Sequence, residues 1–374
     1  MKKYIFYFHL LFMIFFTLSC SESGSATEDD KRYFNGDIVL FDDVKKELYL
    51  EANEIYLKNG LDAGIISSYD SLIFFLSWQF SDAYYSVFNS EDFEHRGYFI
   101  PKGEGPGESL GVGAIDHFIE DDGDVKVMLL APNNLQFVFW NISESMRKKT
   151  TVYDSIVPFQ RGHFSTPQHS WLLSRDTILH SYLPAYMGAN DYTPTLPFLE
   201  KKVVSKNEIV EKYLVFKDSI ESNDKNVYSD KFFRTFDCLK PDKQKVAQVM
   251  PRLFQINIID LNTQEITGYR MRGSPDFSIF KSDMSDSRYY YTRVQADDQY
   301  IYALFVGDKI SDKESFSKVD EVHVFDWNGN FVKKLRLSNS IREMSLNIKN
   351  NRLYGYDDVV EGVVYCYDLA RIMD

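Results

Sequence analysis

The sequence has few cysteines, 3 among 374 residues. Cys20 follows an apolar segment, whereas Cys238 and Cys366 are far apart and stand in no metal-binding spacing. This usage excludes a disulfide-rich scaffold and a cysteine zinc site. For the two distant cysteines, separate buried thiols and a Cys238–Cys366 disulfide both remain open.

Basic runs are also absent. The chain has 42 Lys and Arg against 55 Asp and Glu, which gives a net charge of −13. A protein that binds nucleic acid needs a positive surface to attract the phosphate backbone. We therefore expect no nucleic-acid partner.

No hydrophobic run is long enough to span a bilayer. The most apolar segment, Tyr4–Phe16, is about a dozen residues long, whereas a transmembrane helix needs about 20. It follows Lys2 and Lys3 and ends in Thr17–Cys20, which resembles a lipobox, although Thr17 replaces the usual leucine. We predict a lipoprotein signal peptide over residues 1–19 and lipidation of Cys20. An ordinary signal peptide with a chance cysteine is the alternative.

Removal of residues 1–19, which carry two lysines and no acidic residue, changes the net charge from −13 to −15. The polar segment that follows has nothing to bury, so we predict a flexible, lipidated tether over residues 20–36 and a folded domain over residues 37–374. The expected partner is thus a membrane, reached through the lipid. Ser21 and Glu22 after the lipid site favour the outer membrane of a Gram-negative envelope.

Long amphipathic helical patterns are scarce, whereas aromatic residues make up 16% of the chain and short strand-like runs recur from residue 37 onward. Val322–Asp326 and Val364–Asp368 share one form, and their aspartates are 42 residues apart, a spacing typical of four-stranded propeller blades. We predict an all-β fold, a six-bladed β-propeller of four-stranded antiparallel blades. A two-domain β-sandwich arrangement is the alternative. The predicted blades are centred on residues 70–100, 114–152, 170–216, 230–272, 288–337 and 341–374.

The strand-like residues 37–57 are left over from these blades. Closed propellers commonly use such a segment to complete the last blade, because this leaves the ring without an open edge. We therefore predict that an N-terminal strand closes the ring.

A glycine-rich loop follows the strands of an early blade. Pro101–Glu108 resembles the Gly-x-Gly-Pro-Gly-Glu loop of TolB-like six-bladed β-propeller lipoproteins. The resemblance implies a propeller on the cell envelope, and it transfers no catalytic residue to this chain. The loop is either a structural turn that seals two blades or a ligand site whose amides hold an anion. Its candidate residues are Gly103, Gly105, Pro106, Gly107 and Glu108.

Two further motifs fit familiar chemistry only formally. Gly107–Gly111 has the Gly-x-Ser-x-Gly pattern of a nucleophile elbow, but a Pro-Gly loop precedes Ser109 and no helix is predicted after it. Asp326, Asn328 and Asn330 mimic the start of a calcium loop that lacks its required glycine and glutamate. We expect a structural loop at the first motif. At the second, the Asn-Gly pair predicts a type I′ hairpin.

The histidines show no zinc spacing, and we predict no metal and no cofactor. His163, His169 and His180 are near enough in sequence to meet in space, together with Asp176, although ordinary loop and strand histidines are favoured. Arg161 and His163 are candidates for the mouth of the central channel. We expect Asp121–Asp124 to form a turn, and a weak cation site there is the less favoured alternative.

Aromatic residues in an irregular, proline-containing region form a candidate binding surface. An exposed platform of this kind binds sugars or peptides, although aromatics beside prolines also fold back onto a core. The candidate residues are Trp171, Tyr182, Tyr186 and Tyr192.

No catalytic set is assembled in the sequence. We therefore expect a non-enzymatic, lipid-anchored module that binds an envelope protein or a peptide or glycan ligand. One alternative is a propeller hydrolase or lyase with a metal in the central channel. The other is an accessory glycan-binding lipoprotein of an uptake system.

Overall fold

The computed structural model describes residues 26–57, 64–159, 167–183, 196–218, 230–281, 287–309, 319–357 and 362–370. These residues form six sheets of consecutive antiparallel strands, which follow one another along the chain as the blades of a propeller. The predicted all-β, six-bladed fold is confirmed.

The N-terminal segment contributes one helix and three strands, and the first three blades follow it. The N-terminal elements are α1 (Glu28–Tyr33), β1 (Asp37–Phe41), β2 (Glu47–Leu50) and β3 (Asn53–Tyr56). Blade 1 contains β4 (Ile65–Tyr69), β5 (Leu72–Leu76), β6 (Ala83–Asn89) and β7 (His95–Pro101). Blade 2 contains β8 (Phe118–Asp121), β9 (Asp124–Ala131), β10 (Gln136–Asn141), α2 (Ile142–Lys148) and β11 (Tyr153–Pro158). Blade 3 contains β12 (His169–Ser174), β13 (Thr177–Tyr182), β14 (Phe198–Val203) and β15 (Glu208–Leu214).

The last three blades are built in the same way. Helix α3 (Asp230–Phe233) precedes blade 4, which contains β16 (Phe236–Leu239), β17 (Lys245–Val249), β18 (Gln255–Asp260) and β19 (Ile266–Met271). A 3-10 helix, Phe277–Lys281, leads to blade 5, with β20 (Arg288–Ala296), β21 (Tyr300–Lys309), β22 (Glu321–Asp326) and β23 (Phe331–Leu337). Blade 6 contains β24 (Glu343–Asn347), β25 (Arg352–Tyr356) and β26 (Val363–Asp368).

The ring closes through β3, which pairs antiparallel with β26 and supplies the fourth strand of blade 6. Ile55 stands opposite Val364 in this register. An N-terminal strand therefore completes the last blade, as predicted from the leftover segment, and the edge that blade 6 would otherwise present is paired.

The other two N-terminal strands fall in the strand-like residues 37–57, but their pairing was not anticipated. Strand β1 pairs parallel with β19 and β2 pairs parallel with β23, so blades 4 and 5 have five strands each instead of four. Parallel pairing joins segments that no hairpin connects. No turn signal in the sequence therefore announces these two pairings.

The hydrophobic core is divided into six clusters, one between each pair of neighbouring blades. Strands buried on both faces explain the continuous apolar runs, of which β5 is an example with Ile73, Phe74 and Phe75 all at 0% exposure. Cys238 and Cys366 are buried free thiols in different clusters. Of the two alternatives for these cysteines, the structure shows separate thiols.

Helix α1 corrects the predicted extent of the tether. Thr27 caps the helix, with its hydroxyl accepting from the Asp30 amide at 3.2 Å, and the Asp30 carboxylate accepts from the Thr27 amide at 2.9 Å. Asp30 is 1% exposed and accepts a bidentate pair of hydrogen bonds from Arg270, with Nη1 at 2.6 Å from Oδ1. Tyr33 is buried among aromatic rings between blades 3 and 4. The flexible segment predicted up to residue 36 is thus wrong from Ala26 onward.

The hairpin between β22 and β23 forms, but not as a type I′ turn. Gly329 has φ of +78°, whereas Asn328 does not adopt a left-handed conformation. The Asp326 carboxylate instead accepts from the backbone amides of Asn328 and Asn330, both at 2.9 Å. This carboxylate organises the loop from within, so the calcium-like motif is a turn.

None of the helices among the described residues has the length and hydropathy required to cross a membrane.

Candidate functional site

One face of the propeller carries the candidate site. The first strand of each blade lies next to the central channel, and strand direction alternates within a blade. The connections that enter the first strand and those between the second and third strands therefore share one face, which we call the upper face. The connections between the first and second strands lie on the opposite, lower face.

A cavity of about 640 Å³ opens on the upper face between blades 1, 5 and 6. Its volume falls in the range of about 300 to 1,000 Å³ that is typical of small-molecule sites. Residues from the starts of β4 and β24, from the middle of β20 and from connections between second and third strands contribute to it. The polar lining consists of Gln79, Thr292, Arg293, Arg342 and Glu343, and the apolar lining includes Ile65, Trp78, Val319 and Tyr356.

An ion pair joins blades 5 and 6 at the cavity. Arg293 of β20 donates Nε to Glu343 Oε2 at 2.7 Å and a second hydrogen bond from Nη2 to Oε1. It also donates Nη1 to the Thr292 carbonyl at 2.6 Å. Burial by itself would lower the pKa of Arg293, but the hydrogen bond and the charge of Glu343 outweigh it and raise that pKa. The orientation of the Arg293 guanidinium is fixed by these three hydrogen bonds.

Trp78 forms the apolar side of the cavity and is 53% exposed. Its loop is held by Lys102, whose Nζ donates to the Trp78 carbonyl at 2.7 Å and also to the carbonyl of Phe80. Burial lowers the pKa of Lys102. The indole is therefore presented by a fixed backbone rather than by a free loop.

Lys102 belongs to the glycine-rich loop, which is closed on itself. The Glu108 carboxylate accepts from the Gly105 amide at 2.8 Å, and the Glu108 amide donates to the Gly105 carbonyl at 3.0 Å. Gly103 has φ of +149°, and a Cβ there would lie 1.9 Å from Glu108 Oε2. Gly107 has φ of +82°, and its carbonyl accepts from the Tyr153 hydroxyl at 3.2 Å.

These contacts favour the structural reading of the loop over the anion site. A carboxylate of the chain itself already occupies the position in which an exposed amide would bind an anion, and Pro106 lies within the same turn. The loop contributes to the site indirectly, through the hydrogen bonds that Lys102 donates to the Trp78 segment.

Ser109 does not form a nucleophile elbow. It is 2% exposed and follows a loop rather than a strand, and no helix follows it. Its hydroxyl donates to the Gly111 carbonyl at 2.9 Å and lies 3.2 Å from Asn134 Oδ1. A serine in these contacts shapes the loop and has no base beside it among the described residues.

A second polar group lies near the channel, where His169 begins β12. Its Nδ1 is 2.6 Å from Asp116 Oδ1, and Asp116 Oδ2 accepts from the Ser170 amide at 2.7 Å. Burial would lower the pKa of His169, but the charge and hydrogen bond of Asp116, with a smaller effect of Asp237, raise that pKa. The neighbouring Asp116 therefore favours the protonated form of His169, which argues against a role for His169 as a general base.

His180 and Asp176 have separate partners in the described part of the chain. His180 pairs through Nδ1 with the Ser170 hydroxyl at 3.0 Å, and Asp176 binds Ser205 instead. His163 and Arg161 lie outside the described residues. Among the described residues no group of three His, Cys, Asp or Glu side chains is arranged to hold a metal ion.

The predicted aromatic surface is corrected in the part that the structure describes. Trp171 is 1% exposed, stacks on His169 with ring centroids 5.3 Å apart, and belongs to the cluster between blades 3 and 4. Tyr182 is 2% exposed and stacks on Phe198 at 4.8 Å. Both rings fold onto the core because their strands are buried on both faces. Tyr186 and Tyr192, like Cys20, lie outside the described residues.

Sequence reasoning missed the residues that line the cavity. Trp78, Arg293, Arg342 and Glu343 come from three blades, and the ion pair joins positions 50 residues apart. The one usable signal was Trp78 itself, which stands beside Gln79 in a connection rather than in a strand. Asp116 was missed for the same reason, since it is 53 residues from its partner His169.

The closed ring and the cavity at its upper face define a six-bladed β-propeller with a ligand-sized site at the channel mouth. The model of the TolB-like 6-blade propeller-like family matches residues 41–348 of the chain. The chain belongs to this family, which confirms the family predicted from the sequence. A comparison with curated protein sequences gave no match.

Two solved structures from Bacteroides share the fold at low identity. A member of the DUF4221 family from Bacteroides vulgatus superposes with a TM-score of 0.55 at 11% identity, covering 85% of this chain and 97% of that one. An exported protein of Bacteroides fragilis, described as putative in its own structure, gives 0.51 at 13% identity, covering 89% and 98%. At these identities the likeness shows the fold alone.

Proposed function

We propose that this chain is a lipid-anchored envelope protein whose propeller binds a ligand in the upper-face cavity without transforming it. The observation that supports this proposal is the cavity of about 640 Å³, which combines the half-exposed indole of Trp78 with a fixed Arg293–Glu343 pair. Such a lining supplies one stacking surface and several oriented polar groups, as ligand sites do.

The state of the polar groups supports binding over catalysis. Glu343 is tied to Arg293 by two hydrogen bonds, His169 is held in an ion pair, and the Ser109 hydroxyl is used within its loop. A general acid or base needs a pKa near the working pH and a free position for the proton it moves. These groups are instead arranged to hold charge and shape.

The proposed location rests on the sequence around Cys20. The signal-like residues 1–19, the lipobox-like Thr17–Cys20 and the exported relative from Bacteroides fragilis support lipidation and export. Growth of expressing cells with labelled palmitate should label the wild type and leave Cys20→Ser unlabelled. Label that persists in Cys20→Ser would contradict the anchor.

The tryptophans make a sharp binding assay possible. The chain has four, and Trp140, Trp171 and Trp327 are 0%, 1% and 7% exposed, so Trp78 is the one open to a quencher. We expect a ligand taken from envelope peptides or oligosaccharides to protect the fluorescence from acrylamide. Trp78→Ala removes both the reporter and the stacking surface, so its affinity for the same ligand is measured by calorimetry and should be at least tenfold weaker.

Tyr49→Ala is the matched control, since Tyr49 is 76% exposed on the rim strand β2 and is not part of the cavity lining. It should leave affinity unchanged. Equal loss of affinity in both variants would argue against the cavity as the site, and chemical turnover of the bound compound would argue against a purely binding role.

A further inference from the structure

Three arginines converge beside the cavity at the junction of blades 4 and 5. The guanidinium carbons of Arg234 and Arg293 each lie 5.3 Å from the centroid of the Phe236 ring, and that of Arg252 lies 5.3 Å from the Tyr289 ring. Burial raises the pKa of Tyr289, and the charges of all three arginines oppose that rise. All three guanidinium groups are therefore close enough to the Tyr289 hydroxyl to influence its pKa.

Topology places the three arginines toward the upper face. Arg234 immediately precedes the first strand of blade 4, and Arg252 lies in the connection between its second and third strands. Arg293 lines the cavity itself. Arg234 shares the Phe236 ring with Arg293, so the positive group borders the cavity, in a chain whose net charge is −13.

Two of the three arginines lack a carboxylate partner in the described part of the chain, but only Arg252 is partly buried, since Arg234 is exposed. Arg293 is paired with Glu343, whereas neither Arg234 nor Arg252 has a carboxylate partner among the described residues. Nη1 of Arg252 is buried with no hydrogen-bond partner in that part of the chain, and so is Oγ1 of Thr292, which lines the cavity. Burial also lowers the pKa of Arg252. A partly buried cation without a counter-charge is destabilising until an anion reaches it.

The chemistry of these groups selects a ligand. A guanidinium presents a planar fork of donors that matches a carboxylate, and stacking on Phe236 and Tyr289 holds the forks in place. The cavity adds the exposed face of Trp78 for an apolar ring surface, and Gln79, Thr292 and Glu343 for hydroxyl groups. A ring with one apolar face, several hydroxyls and a carboxylate is an acidic sugar, and the volume suits a short saccharide rather than a protein surface.

We infer that the upper-face cavity binds an acidic saccharide, with a sugar ring on Trp78 and a carboxylate at Arg252 and Arg234. This inference rests on the proposed function and names the ligand class of the same site.

The test uses the mature protein in a non-ionic detergent and uronic acid oligosaccharides of two to four residues. Galacturonate, glucuronate and mannuronate series are each compared with their methyl esters, which keep the rings and remove the charge. We expect at least one acid to protect Trp78 from acrylamide, and its methyl ester to bind at least tenfold more weakly. Higher salt should weaken binding of the acid and leave binding of the ester unchanged.

Arginine variants assign the carboxylate position. Arg252→Met and Arg234→Met should each lower the affinity for the acid about five- to thirtyfold without altering binding of the ester. Arg175→Met is the matched control, since it removes the same charge from a side chain that is 96% exposed in a turn on the lower face. Thermal unfolding should show Arg252→Met no less stable than the wild type, because the charge it removes is uncompensated.

The outcomes separate the inference from the proposed function. If neutral saccharides or peptides protect Trp78 and the acids bind no better than their esters, the function stands and the inference is overturned. If an acid binds but neither arginine variant weakens it, the assigned carboxylate position is overturned. If no compound of either kind protects Trp78, both proposals fail.

Discussion

Two histidines in the described part of the chain, His180 and His117, have pKa values that burial lowers strongly. His180 is 1% exposed, lies parallel to Phe137 at an interplanar angle of 10°, and has its pKa lowered to about 3 by burial. His117 accepts from the Leu172 amide at 3.3 Å, and burial lowers its pKa to about 4. Both are neutral in the folded protein under conditions in which an unfolded histidine, with a pKa near 6.5, is charged.

This difference predicts a loss of stability in mild acid. Between about pH 6.5 and 4 the unfolded chain binds protons at these two positions that the folded chain does not bind. The free energy of unfolding should therefore fall with falling pH, by about 1.4 kcal/mol per pH unit for each histidine. Urea denaturation at half-unit steps from pH 7.5 to 4.5 measures this slope.

The contribution of His169 to the pH dependence of stability has the opposite sign. Its pKa is raised in the folded protein, so its ion pair with Asp116 is fully stabilising below about pH 6.5 and is lost as pH rises through the folded pKa. Stability should thus be greatest near pH 6.5. His180→Gln should reduce the acid slope by about one proton whatever its absolute stability, and an unchanged slope would contradict the account of His180.

Among the secondary-structure elements, the short strand β3 is the one that closes the ring of blades. It has four residues, yet it is the strand that joins the N-terminal segment to the last blade. Ile55 is 3% exposed and packs in the cluster between blades 6 and 1, whereas its neighbour Tyr56 is 68% exposed. One side of the strand therefore seals the ring and the other faces solvent.

We predict that Ile55→Ala destabilises the protein by about 2 to 5 kcal/mol, because it leaves a cavity at the closure. Tyr56→Ala, one residue away in the same strand, should change stability by less than about 0.5 kcal/mol. Thermal and urea unfolding of both variants measure the difference. Similar values for the two would mean that β3 does not carry the closure.

The elements also show how far the sequence predicts the fold. Local signals were sufficient for the blades, because each antiparallel strand has its partner a turn away and the pattern repeats. They were insufficient for β1 and β2, whose parallel partners lie more than 200 residues away in sequence. The same limit applies to the site, since Trp78, Arg293 and Glu343 meet only after the ring has closed. Aromatic content indicated strands correctly but not which rings, such as Trp171, are buried.

For the molecule as a whole, helix α1 bears on how the proposed lipid anchor would hold the propeller. The described part of the chain begins at Ala26, and the buried Asp30–Arg270 pair fixes the helix to blade 4. Breaking a buried ion pair by removing one partner typically costs about 3 to 5 kcal/mol, so the helix is held firmly. From Cys20 to Ala26 the chain advances six residues, which span at most about 20 Å when extended. A lipid on Cys20 would therefore keep the propeller close to the bilayer.

This geometry predicts strong energy transfer between a lipid-borne acceptor and a dye on the propeller. Tyr49→Cys is a suitable labelling position because Tyr49 is 76% exposed on β2, whereas Cys238 and Cys366 are buried thiols. Insertion of twelve Gly and Ser residues between Ser25 and Ala26 should lower the transfer markedly. Asp30→Asn should lower it to a smaller degree, because a weakened ion pair lets α1 detach and lengthens the tether. If the chain up to residue 36 were already flexible, Asp30→Asn would leave the transfer unchanged, and that outcome would restore the longer tether.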